Sequence, residues 1–147
     1  MIHSAANIDS RVKIGANTHI GPNVVIYKNV EIGSNCYIGA GSIVGAPPEI
    51  ANPSNIKMLT MPNKEWDFFK VRIGNSVAFR EGVVVHAGDN RDTVISDSAY
   101  IHSNSVISHD CFIGTGVIIS SGVNIGGNVL IGDYATVGAN TAIHQKK

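Results

Sequence analysis

Four places in the C-terminal half of the chain carry groups suited to proton abstraction and to holding an oxyanion: His86, His109, the pair Gly126-Gly127, and His144. An imidazole, with an unperturbed pKa of about 6.5, can act as a general base at neutral pH. A glycine in a turn leaves its backbone N–H open to a developing negative charge. Taken singly, each residue is ordinary, because polar residues and glycines populate turns and a corner histidine is as readily a solvated one. The interval between them makes the set worth following. His109 and Gly127 each stand two residues after an isoleucine, Ile107 and Ile125, while His86 and His144 stand one residue after Val85 and Ile143.

Those aliphatic residues belong to a repeat. From Ile95 to Ile143, nine consecutive hexads begin with Ile or Val without a slip. The fifth residue of each full hexad is small (Ala99, Ser105, Cys111, Val117, Val123, Val129, Ala135, Thr141), and the second is often Gly. Six residues are too few for a helix–strand unit but fit one short strand and one turn. The first residue points inward, the fifth points inward near a corner where little room is left, and Gly or Asn supplies the turn angles. Three hexads make one coil of roughly 18 residues, and coils stack about 4.8 Å apart through parallel pairing. The expected fold is all-β: a left-handed parallel β-helix, a hexapeptide-repeat solenoid with the shape of a triangular prism, whose core accumulates along its axis. A helix fails on period, since apolar residues at i, i+4, i+6 and i+10 do not hold one face.

The N-terminal block is equally regular, with hexads beginning at Ile2, Ile8, Ile14, Ile20, Ile26, Ile32, Ile38 and Val44. The register then breaks near 46–70, a segment holding Pro47, Pro48, Pro53 and Pro62 together with Trp66, Phe68 and Phe69. It reads as one long excursion loop from a corner of the prism, with a function or a packing role. Its aromatic residues either cover an edge or subunit contact, or touch a ligand. Hexads resume at Ile73, Phe79 and Val85, and a short excursion, residues 87–93, precedes the last block. The whole chain, 1–147, forms a single β-helix domain of between six and seven coils on this count. Counted from Ile73, every third hexad shares a face. Val85, Ile107, Ile125 and Ile143 then stack, provided the short excursion adds no side, and bring His86, His109, Gly126-Gly127 and His144 to one edge. His102 falls on another face.

Composition removes several function classes. Eleven basic and eleven acidic residues give zero formal charge, and no basic stripe exists for nucleic acid or an anionic membrane. No apolar run approaches the roughly 20 residues of a transmembrane segment. The N-terminus enters the repeat at Ile2 rather than a signal peptide, so a cytoplasmic protein is expected. Cys36 and Cys111 occupy fifth positions of hexads and read as buried core residues. No Cys/His spacing suits zinc. A hexapeptide carbonic anhydrase would need a second histidine five residues from His109, where Asn104 and Gly114 stand instead.

Phe79-Arg-Glu-Gly-Val-Val-Val-His86, Ile107-Ser-His-Asp-Cys111, Ala142-Ile-His-Gln145 and the opening Ile2-His3 resemble the hexapeptide-repeat acyltransferases. The likeness is strongest to the UDP-N-acetylglucosamine O-acyltransferases of lipid A synthesis, and it covers nearly the whole chain. It implies His109 as general base, Gly127 as oxyanion donor, and Asp110 as a group that orients the base or the acceptor. His86, His144 and Asn128 would be substrate-binding residues of the same cleft. Asp110 also reads as a plain turn aspartate. No bound cofactor or metal is implied. The co-substrate would be an acyl-CoA or acyl carrier protein thioester, the acceptor a sugar or sugar nucleotide in lipopolysaccharide or surface polysaccharide synthesis, and the assembly a homotrimer with sites between prisms. Where the family has Gln-Asp-x-Lys in contact with the sugar nucleotide, this chain has Pro48-Glu49-Ile50-Ala51. Val106 and Asn128 replace two family histidines. Coils that measure acyl length in the family are not found by Lys147, so acetyl-CoA is an expected donor beside acyl carrier protein. A non-catalytic β-helix scaffold and, further off, a carbonic-anhydrase-like metal protein are the alternative readings.

Overall fold

The protein is described by a computed structural model covering residues 1–147, with the side chain of Lys64 left aside. The hexads form three parallel sheets of seven, six and six strands, nearly all two or three residues long. The first face consists of Asn7–Ile8, Val25–Ile26, Ile43–Ala46, Val84–His86, Val106–Ile107, Asn124–Ile125 and Ala142–Ile143. The second begins at Lys13–Ile14 and the third at His19–Ile20, and strands follow the order first, second, third face through the whole chain. Each inward aliphatic pairs in register with its counterpart one coil on, as Val44↔Val85, Val85↔Ile107, Ile107↔Ile125 and Ile125↔Ile143 do. Stacked Ile and Val side chains fill the prism, each burial contributing about 1.5–3 kcal/mol.

The small fifth residues from Thr18 to Val129 are buried as expected, those of the end coils (Ala6, Val12, Ala135, Thr141) partly so, and the polar ones are satisfied. Thr18 Oγ1 donates to the Gly33 carbonyl, Ser42 Oγ to Arg80, and Ser105 Oγ to Ser120. Burial pushes the Cys111 thiol up, and its Sγ–H donates to the Gly126 carbonyl at 3.1 Å. The two turn positions differ in their demands. The left-handed backbone falls on the fourth residue, as at Asn35 (φ 60°), Asn104 (φ 60°), Asp110 (φ 63°) and Gly116 (φ 66°), where Asn, Asp or Gly is tolerated. The glycines at the second position answer to space instead. A Cβ on Gly114 would lie 2.5 Å from Asp133 Oδ1 and 2.7 Å from its backbone nitrogen in the next coil.

Both excursions leave the first face at the same corner, in consecutive coils, and rejoin on the second. Neither adds a side, so the proviso on the histidine column is met. The long one, from the strand Ile43–Ala46 to the strand Val71–Ile73, is not wholly irregular: it holds a short helix, Pro53–Leu59, capped by Asn52, and a 3₁₀ turn, Asn63–Glu65. Trp66 packs beside Tyr27 and Phe68 and donates its Nε1–H to the Met58 carbonyl, which fits the covering role. The excursions are laced together. Phe69 N–H donates to Gly88, Ala87 N–H to Ala46, and Lys70 N–H to Asp92 Oδ1. No helix among the described residues is long and apolar enough to cross a membrane.

Candidate active site

His109 sits in the turn that follows the strand Val106–Ile107, and its side chain is 15% exposed. Its Nδ1–H donates to Asp110 Oδ2 at 2.7 Å. That bond fixes the tautomer and leaves Nε2 as the free lone pair. The ring lies over Gly127 of the next coil, where an added Cβ would stand 2.6 Å from both Cε1 and Nε2. A side chain at 127 would have to displace the imidazole, which occupies the volume it would need.

Asp110 is fully buried, which the reading of a plain turn aspartate does not anticipate. Its Oδ1 accepts three successive backbone amides, from Asp89, Asn90 and Arg91, each at 2.9 Å. Its own N–H donates to Thr93 Oγ1 at 3.0 Å, and Arg91 Nε–H donates to its carbonyl at 3.0 Å. Burial alone would push the carboxyl up. The hydrogen bond from His109 and those from the Arg91, Asn90 and Asp89 amides outweigh it and hold the group below the usual carboxylate value. The short excursion is therefore a nest of N–H groups wrapped around one carboxylate oxygen, leaving the other for the histidine. The tight bend depends on Gly88, where a Cβ would collide with the Arg91 carbonyl.

The Gly127 amide has no acceptor among the described residues. At the next corner, by contrast, the equivalent amides of Ser34, Asn75 and Thr115 are taken by Asn75, Asp97 and Asp133 Oδ1, each at 2.8–2.9 Å. A donor that lacks a partner thus stands beside an imidazole whose Nε2 is free. Both open on a cleft of about 640 Å³ lined by Ser108, His109, Asn124, Gly126, Gly127, His144 and Gln145, with Glu49 of the long loop on its rim.

The remaining site candidates divide. His144 is exposed in that cleft, its Nδ1 3.3 Å from the Gln145 carbonyl. His86 shares the column by register but is buried, donates Nδ1–H to the Pro47 carbonyl at 2.8 Å, and lines an adjoining cavity of about 450 Å³ beneath the long loop. Asn128 turns toward Arg91, 3.5 Å from its guanidinium, and is not part of the cleft wall. Sequence reasoning missed the Asp89–Arg91 nest and Glu49. The one available signal was a short break in the count, holding Gly88, one coil before His109-Asp110. No group of three or more His, Cys, Asp or Glu side chains among the described residues could hold a metal ion.

Comparison with known proteins agrees with the repeat. Residues 11–46 match the family model described as bacterial transferase hexapeptide (six repeats). Among solved structures, UDP-N-acetylglucosamine acyltransferase from Campylobacter jejuni is 26% identical with a TM-score of 0.73, over 99% of this chain and 61% of its own. The Arabidopsis and Bacteroides fragilis enzymes of the same name are 20% and 22% identical, with TM-scores of 0.63 and 0.62. They match over 99% and 97% of this chain and 62% and 66% of their own, and at that identity they speak to the fold alone. The chain spans less than two thirds of the length of each of these neighbours. No curated protein sequence matches it. Repeat, three-sheeted prism and structural likeness together make the chain similar in fold to the hexapeptide-repeat transferases, with the family model itself matched over residues 11–46.

Proposed function

We propose that the chain is an acyltransferase that moves an acyl or acetyl group from a pantetheine thioester, on CoA or acyl carrier protein, to a hydroxyl or amine of a sugar or sugar nucleotide. The observation that carries this is the His109–Asp110 pair, with its free Nε2 set against the unpartnered Gly127 amide in one cleft. His109 Nε2 takes the acceptor's proton as the oxygen or nitrogen attacks the thioester carbon. The tetrahedral oxyanion is held by the Gly127 N–H. The C–S bond breaks as the carbonyl re-forms, and the proton on His109 passes to the leaving thiolate. Asp110 stabilises the transient imidazolium and keeps the ring from turning. A homotrimer, as the resemblance implies, would give this open cleft a second wall from a neighbouring prism.

The direct test mixes purified protein with acetyl-CoA or acyl carrier protein thioesters and candidate sugars and sugar nucleotides, and follows free thiol. Acceptor-dependent release that His109→Ala abolishes is the expected result. Equal release by wild type and His109→Ala would remove the base from the mechanism.

A further inference from the structure

The cleft at His109 and the cavity at His86 share one residue, Glu49, and it carries the only fixed charge on either wall among the described residues. Its side chain is 78% exposed and makes no ion pair with a Lys or Arg among the described residues. Its Oε1 lies 3.4 Å from His86 Nε2. That nitrogen is buried and has no hydrogen-bond partner. Because His86 Nδ1–H donates to the Pro47 carbonyl, Nε2 of the neutral ring carries a lone pair. Two acceptors, an imidazole nitrogen and a carboxylate oxygen, thus face each other with no donor between them. A buried polar atom in that condition is destabilising, and a donor placed between the two acceptors would offset the cost.

Resting on the acyl-transfer reading above, we propose that Glu49 and His86 recognise the acceptor, and that the acceptor carries a protonated amino group that docks between Glu49 Oε1 and His86 Nε2. An ammonium offers three donors and a positive charge, enough for both atoms, whereas a hydroxyl offers one. Glu49, on an exposed loop, moves outward to admit the group. A pyrophosphate fits poorly, because no Lys or Arg among the described residues lines either cavity and Glu49 repels it. The cavity behind the pair is walled by Pro47, Pro48, Ile50, Ala51, Ile56 and Leu59, so the amino group enters beside apolar surface, where its charge is less screened. His86 lies one coil before His109 on the same face, which places the recognised amine beside the reacting centre.

The test is binding, read separately from turnover. Glucosamine, N-acetylglucosamine and UDP-N-acetylglucosamine are titrated into the full chain, its Glu49→Gln variant and its His109→Ala variant, by ligand-observed NMR at low and high salt. Glucosamine should bind wild type and His109→Ala about three- to tenfold more tightly than the N-acetylated sugar. The preference should shrink with salt and vanish in Glu49→Gln, an exposed substitution that leaves the prism intact. Equal or tighter binding of the N-acetylated or diphosphate compound, unchanged by Glu49→Gln, overturns the proposal. So does a ¹⁵N spectrum of the free protein at pH 7.5 in which both His86 nitrogens carry protons, since the gap would then be filled by the protein itself. Amine preference governed by Glu49, with no thiol released from any donor, would sink the acyl-transfer reading while leaving this site standing.

Discussion

At the corner after the second face, Asn75, Asp97 and Asp133 each turn a side-chain oxygen back onto the free amide of the coil before. Second-position glycines there, such as Gly74 and Gly114, make room for those oxygens. At the corner after the first face, the same hexad geometry is put to a different use. The volume above Gly127 is filled by the imidazole of His109 from the coil before, and the Gly127 amide is left without a partner. The carboxylate at that corner, Asp110, turns inward to the short excursion instead of capping a neighbour. One corner caps its third-position amide at three levels, those of Ser34, Asn75 and Thr115. The other leaves a donor and a lone pair unsatisfied side by side, as a site for a reacting oxygen requires.

Substitutions at the two corners should separate accordingly. His109→Ala should lower acyl transfer by roughly 10²–10⁴-fold, the usual share of a general base, and should cost about 1–3 kcal/mol of stability because the buried Asp110 Oδ2 loses its partner, while the prism stays folded. Loss of both rate and fold would instead make this corner structural. Gly127→Ala should lower the rate by roughly 10²-fold, because the methyl displaces the ring from its attack geometry, and destabilise by about 1–3 kcal/mol in denaturant titration.

Asp110→Asn keeps an oxygen for the three amides but presents an N–H to His109 Nδ1. The ring must then carry its proton on Nε2, where it cannot act as a base, and a rate loss on the order of 10²-fold is expected in kcat rather than KM. The same variant tests linkage. The folded-state carboxyl of Asp110 lies below its unfolded value of about 3.9, so its stabilisation is present above that pH and is lost as pH falls through the folded value. As pH falls below about 4, wild type should lose stability more steeply than Asp110→Asn, measured by urea midpoints. The smallest effect belongs to the other corner. Asp97→Ala uncaps the exposed Asn75 amide and should cost about 1 kcal/mol or less, with turnover unchanged. A fall in rate there would erase the contrast between the corners.

The hexad count carried much of this. Ile and Val at intervals of six, with small fifth residues, specify an inward stack whatever the rest of the sequence does, and the register of Val85, Ile107, Ile125 and Ile143 follows directly. Because the period is local, the face of each residue can be counted from the chain, and the meeting of His109 with Gly127 was legible for that reason. The irregular segments were not legible. The Asp89–Arg91 nest depends on backbone direction within a seven-residue break, and that direction is set by contacts from Phe69 and Lys70, about twenty residues away. The burial of Asp110, the separation of His86 from the cleft of His109, and the position of Glu49 depend equally on how the two excursions pack against each other. Repetition encodes the prism in each hexad separately. The excursions have no repeat to copy, and only their packing in space decides which groups they deliver to the site.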